Sequence, residues 1–251
     1  MNEIIEKLAY KIGEAVQSSA LNGNAISKNV FHRNVSSHES SDISYINGLV
    51  STGLRGSALL KGEKLTTNFS QLLTASRQHL PVVVNTSARS FKDSNFSTTN
   101  NYGNISAIQQ TGGFQLVASS AQDEVYLTLI AHRIAELSLI PGVVIADYNS
   151  ENAKAELPTN ELIIKYLGNS DDQIESPTPA QEMLFGKTRR RIPNWYSLDV
   201  PVMLGARKDG EAISFEKAAS DNYFYAHLSE LIQRAYSEFN QTFGLSLAPL
   251  S

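Results

Sequence analysis

The segment from Pro81 to Tyr148 constrains the fold more than any other part of the chain. It holds a β-branched run at Val82, Val83 and Val84, a polar stretch, and a second apolar run at 114–118. A long amphipathic stretch at 121–138 and the strand-like sequence VVIAD follow. Alternation of strand and helix of this kind predicts a parallel sheet with helices on its faces. The polar stretch, 88–111, is expected to be loop, and a loop that long is often functional. It carries Arg89 just past the C-terminal end of a strand, where open α/β sheets bind ligands. Ser120 is placed to cap the helix at 121–138, with Asp123 and Glu124 complementing its dipole.

The remaining periodicities extend the pattern. Ile4, Ile5, Leu8, Ile12 and Val16 suit an amphipathic helix over 3–16. Residues 17–43 read as loop, with a short strand near Val30–Val35. Residues 44–61 read as a second helix rich in Gly, Ser and Ala, which would let another backbone or a cofactor approach closely. Residues 65–79 suit a short strand and a helix, 159–167 a short helix, and 169–183 a loop or linker. Residues 220–243 form a final helix with Phe224, Leu228, Leu231, Ile232, Ala235, Phe239 and Phe243 as its apolar face. There is no internal repeat, and a single α/β domain over 1–251 is expected.

Composition excludes several function classes. Net charge is −4, from 21 basic and 25 acidic residues, so no basic footprint for nucleic acid exists. The run Arg189–Arg190–Arg191 is short and is expected to be a solvated loop, pinned to the body by Trp195 and Tyr196. No apolar run reaches the ~20 residues that span a bilayer. The first residues lack the pattern of a signal peptide, so the cytoplasm is the expected location. With no cysteine, the chain offers no disulfide, thiol nucleophile or thiolate ligand. The five histidines are scattered, His132 reads as a packed or surface residue, and no metal site is expected. Gly112–Gly113 precedes a strand and is not a phosphate loop.

Several segments together resemble one enzyme family. VVNTSARSFKDSNFSTTNNYGNISAIQQTG, at 83–112, is similar to part of the N-terminal domain of pyruvate:ferredoxin (flavodoxin) oxidoreductases. There a strand ends in an alanine–alanine–arginine sequence, a loop follows, and an arginine–glutamine–threonine–glycine motif begins the next unit. Ala88–Arg89 and Gln110–Thr111–Gly112 keep that spacing. SSAQDEVYLTLIAHRIAELSLIPGVVIAD, at 119–147, resembles the next helix and strand, with Ala131–His132 and Asp147 at matching places. AYKIGEAV (9–16), LTTNF (65–69) and the stretch from Pro201 to Leu250 resemble the flanking parts of the same domain.

The resemblance implies a transketolase-type fold that binds the pyrimidine end of thiamine diphosphate, sharing the cofactor with a partner domain. It implies that Arg89 meets the carboxylate of a 2-oxoacid, chemistry that a planar guanidinium suits. The activating glutamate of the family begins the small-residue helix; here Tyr45–Leu49 holds no acid, and only Glu39 and Asp42 lie just upstream. Their plainer role is to complement the dipole of helix 44–61. The family's substrate-contacting turn after the first helix is also absent. Iron–sulfur clusters would belong to partner domains, electrons would pass to ferredoxin or flavodoxin, and an oligomer is expected. Two functions follow: a component of a 2-oxoacid oxidoreductase that is inactive alone, or a non-catalytic structural or regulatory paralogue.

Overall fold

A computed structural model describes residues 3–18, 27–88, 102–148, 153–197 and 221–249. Six strands pair in parallel, in the order β2-β1-β3-β4-β6-β5. They are β1 (Ala15–Ser18), β2 (Ser36–Glu39), β3 (Gly56–Leu59), β4 (Val83–Ser87), β5 (Phe114–Ala118) and β6 (Gly142–Ala146). The expected α/β class, a mainly parallel sheet flanked by helices, is therefore observed.

Both faces of the sheet are covered, which is why the central strands read as continuous apolar runs. Val16, Leu59, Val83 and Val144 pack under α1 (Glu3–Ile12), α5 (Ala121–Ser138), α6 (Asn160–Leu167) and α8 (Leu228–Phe243). Ala58, Val84, Val143 and Ile145 pack under α2 (Ser44–Ser51), α3 (Phe69–Arg77) and α4 (Tyr102–Ile108). Each such Val, Leu or Ile side chain, fully buried, contributes about 1.5–3 kcal/mol. The connections that step toward β5 cross the second face, and those that step back cross the first. A single hand of crossover requires that arrangement.

The helix expected over 44–61 is instead helix, turn and strand. α2 stops at Ser51 because Gly53 adopts φ +92°, a conformation that breaks the helix. The chain then turns back into β3. A Cβ at Gly56 would lie 2.3 Å from Val50 Cγ2, so the small residues let α2 lie directly on its own strand. Similarly, the helix expected to reach residue 16 ends at Ile12, and β1 takes the next segment.

Other differences are local. No strand occurs at 65–69; two 3-10 turns, Gly62–Lys64 and Thr66–Asn68, lead into α3. The strand expected near 30–35 reduces to one bridge between Lys28 and Asn34, with β2 following. Within the expected loop 88–111, α4 and a 3-10 turn at Gln109–Thr111 are present. The segment 169–183 contributes to an antiparallel hairpin, β7 (Gln173–Glu175) with β8 (Thr188–Arg190), and to α7 (Pro179–Phe185). Thr178 caps α7 and Pro179 opens it, a favourable pairing. The final helix starts at Leu228, after a 3-10 turn at Tyr225–His227.

The arginine run is buried structure and not a solvated loop. Arg189 is 3% exposed. Its Nε donates to Gln181 Oε1 (2.7 Å), its Nη1 to the carbonyls of Arg190 and Arg191, and its Nη2 to the Glu136 carbonyl (2.6 Å). The cation thus ties the hairpin to the C-terminal end of α5, where orphan carbonyls and the helix dipole favour it. Trp195 pins this region, its backbone N–H donating to the Ser51 carbonyl (2.9 Å), whereas Tyr196 is 72% exposed and pins nothing. Among the described residues, no helix is long and apolar enough to cross a membrane.

Candidate functional site

Because all six strands run one way, their C-terminal ends share one edge. The chain leaves β1 toward β2 and leaves β3 toward β4, so a topological switch point lies between β1 and β3. Ligands of open α/β sheets bind at such points. Buried polar side chains gather toward this edge: Gln17, Ser18, Asn68, Asn85, Thr86 and Glu124.

The loop between β2 and α2 is clamped by two of them. Gln17 Nε2 donates to the carbonyls of Ser40 (3.2 Å) and Asp42 (2.7 Å). Asn68 Nδ2 donates to the Ser41 carbonyl (2.6 Å), and Asn68 Oδ1 accepts from the Ile43 N–H (2.9 Å). Asp42 is exposed, and its Oδ1 accepts from the Ser44 N–H at the start of α2 (2.9 Å). Glu39 is exposed at the end of β2, an edge strand. The His38 ring meets Tyr45 at 4.6 Å beside them.

Across the sheet, Glu124 stands in the first turn of α5, 3% exposed. Its carboxylate accepts a hydrogen bond from the Tyr148 hydroxyl. Burial pushes the carboxyl up to about 7, against the opposing Tyr148 bond. A carboxyl so placed can give or take a proton near neutrality. One turn on, the Thr128 hydroxyl lies 2.7 Å from Asn85 Oδ1 and from the Glu124 carbonyl. Ser120 caps the helix as expected, accepting from the Asp123 N–H.

The opposite edge holds a buried charge cluster. Arg55 and Glu136 form an ion pair with both side chains 1% exposed. Arg55 Nη2 also donates to the Gly168 carbonyl (2.9 Å), and Glu14 accepts from the Arg55 N–H and the Ser170 hydroxyl. His132 is fully buried, its Nε2 2.9 Å from Ser57 Oγ, which agrees with its expected packing role. Burial drives the imidazole down to about 3, so it is neutral.

Arg89 lies outside the described residues. Its neighbour Ala88 is buried, and the Ala88 N–H donates to the Ala146 carbonyl (3.0 Å), so the segment carrying Arg89 starts at the C-terminal edge. Glu39 and Asp42 lie at the same edge, near the β2 end. Glu124 was missed by sequence reasoning, which gave it only a dipole role. One signal existed: Glu124, Thr128, His132 and Glu136 recur every fourth residue along α5.

A family model described as pyruvate flavodoxin/ferredoxin oxidoreductase, thiamine diphosphate-binding, matches residues 10–203. The chain belongs to this family. Among solved structures, it is similar to 2-oxoglutarate:ferredoxin oxidoreductase from Magnetococcus marinus, determined with 2-oxoglutarate, coenzyme A and succinyl-CoA bound. Identity is 14% and the TM-score 0.47; the likeness covers 62% of this chain and 30% of that one. The chain thus spans less than a third of that protein's length. No curated protein matches the chain.

The family's cofactor sets a test. Its activation needs a carboxylate held against the pyrimidine ring, positioned for proton transfer. Glu39 and Asp42 are the acids nearest that place; both are exposed, and Asp42 Oδ1 accepts from the Ser44 N–H. Glu124 has the burial and the proton affinity, yet it sits on the α5 face of the sheet, away from the β2–α2 loop.

Proposed function

We propose that this chain is the pyrimidine-side component of a 2-oxoacid:ferredoxin or flavodoxin oxidoreductase of pyruvate type. The match to the family over residues 10–203 carries this reading. Arg89 takes the carboxylate of the 2-oxoacid at the C-terminal edge, where a bidentate guanidinium pair fixes both position and orientation. Thiamine diphosphate is shared with a partner domain. Iron–sulfur clusters belong to partner chains, because this one has no cysteine. The purified chain, given pyruvate, coenzyme A and thiamine diphosphate, is expected not to reduce a viologen dye; the same mixture with a cluster-bearing partner is expected to do so. Dye reduction by the chain alone would refute this division of labour.

One observation favours a second reading, a non-catalytic paralogue that keeps the fold and its assembly surfaces. The β2–α2 loop presents no buried carboxyl among the described residues, and Asp42 serves its helix. On this reading the assembled complex would form yet stay silent with every 2-oxoacid offered.

A further inference from the structure

α5 meets the sheet along a polar stripe where an apolar one is the rule. Glu124, Thr128, His132 and Glu136 stand four residues apart and so share one face of the helix. All four are buried. Each finds its partner on a different part of the chain. Glu124 bonds Tyr148 after β6, Thr128 bonds Asn85 on β4, His132 bonds Ser57 on β3, and Glu136 bonds Arg55 just before β3. Four rungs therefore run between helix and sheet, from the C-terminal edge to the N-terminal edge.

The rungs leave three buried polar atoms unbonded by any protein group among the described residues: Asn85 Nδ2, His132 Nδ1 and Arg55 Nη1. The three residues are each 0% exposed. Turning over the amide or the ring leaves one end of each group unbonded all the same. Buried polar atoms as a rule bond to protein or to ordered water. Successive rungs are four residues, about 6 Å, apart along the helix axis. The interface is lined by polar side chains on both helix and strands, as a buried water requires.

We propose that the interface between α5 and strands β3 and β4 is an internal hydration site, in which bound waters bridge Asn85, His132 and Arg55 and join the four rungs into one hydrogen-bonded file. Such a file lets the His132 ring exchange its proton while α5 stays on the sheet. The proposal does not depend on the oxidoreductase reading.

Two measurements on the full-length chain test it. High-resolution diffraction is expected to show ordered water within hydrogen-bond distance of His132 and Asn85. NMR is expected to show the His132 ring N–H exchanging with solvent faster than the chain globally unfolds. A double variant, Asn85→Leu with Thr128→Val, removes one rung, and is expected to slow that exchange at least tenfold while the protein remains folded. If the variant does not fold, the wild-type measurements decide alone. A dry interface, exchange only at the global unfolding rate, or unchanged exchange in a folded variant would overturn the proposal.

Discussion

Arg55 Nε stands 2.5 Å from Glu136 Oε1, with both side chains sealed from solvent at the N-terminal edge of the sheet. Burial alone would raise the Glu136 carboxyl, but the Arg55 guanidinium outweighs it and holds the group below the usual carboxylate range. The pair joins the turn before β3 to the last turn of α5, far along the sheet from the proposed ligand edge.

Removing one member leaves a buried charge without its counter-ion. Glu136→Ala is expected to cost about 3–5 kcal/mol in chemical denaturation. Replacing both members, Arg55→Met with Glu136→Leu, should cost less than the single change, because Arg55 is then not left without its counter-ion. Since the carboxyl is depressed, its stabilisation is present above its unfolded value and fades as pH falls through the folded one. The double variant should therefore lose part of the acid lability of the native chain.

Glu124 behaves in the opposite sense. Its carboxyl is raised from 4.5 to about 7, so the folded state holds the proton more tightly than the unfolded chain. Stability then falls as pH rises between those two values. Glu124→Gln keeps an acceptor for Tyr148 and removes the titration. The variant is expected to be more stable than wild type at pH 8, by about 3 kcal/mol, with the gap closing near pH 4. Parallel denaturation curves across pH check it; an equal pH dependence in both proteins would show that Glu124 is not the titrating group.

Asp42 is assigned to the start of α2. Asp42→Ala should cost about 1 kcal/mol, the usual worth of such a side-chain bond to a helix N–H. It should leave thiamine diphosphate affinity of the assembled complex unchanged. A large loss of cofactor affinity with little loss of stability would instead make Asp42 a cofactor residue.

What the sequence revealed follows a physical pattern. β5 and α5 fall on their expected residues, 114–118 and 121–138, because apolar period, cap and length agree there. The segment 44–61 misled because Gly56, Ser57 and Ala58 carry little hydrophobic pattern, and only close packing against Val50 reveals a strand. The hairpin at 173–190 has three-residue strands, too short for a period to register. Arg189 looked solvated because its acceptors, the Glu136 carbonyl and Gln181, are assembled only by the fold. The C-terminal edge reached by Ala88 and Asp42 was legible as the end of parallel strands. The buried acid Glu124 was not, since its burial depends on Tyr148 and on strands distant in sequence.

Arg89 is proposed to dock a 2-oxoacid in an oxidoreductase assembly. The most direct measurement compares wild type and Arg89→Ala, each assembled with its cluster-bearing partner, by calorimetric titration with pyruvate. Loss of one charge-assisted bidentate pair should weaken binding by about 10- to 100-fold without altering assembly. Equal affinity in the two complexes would contradict the claim.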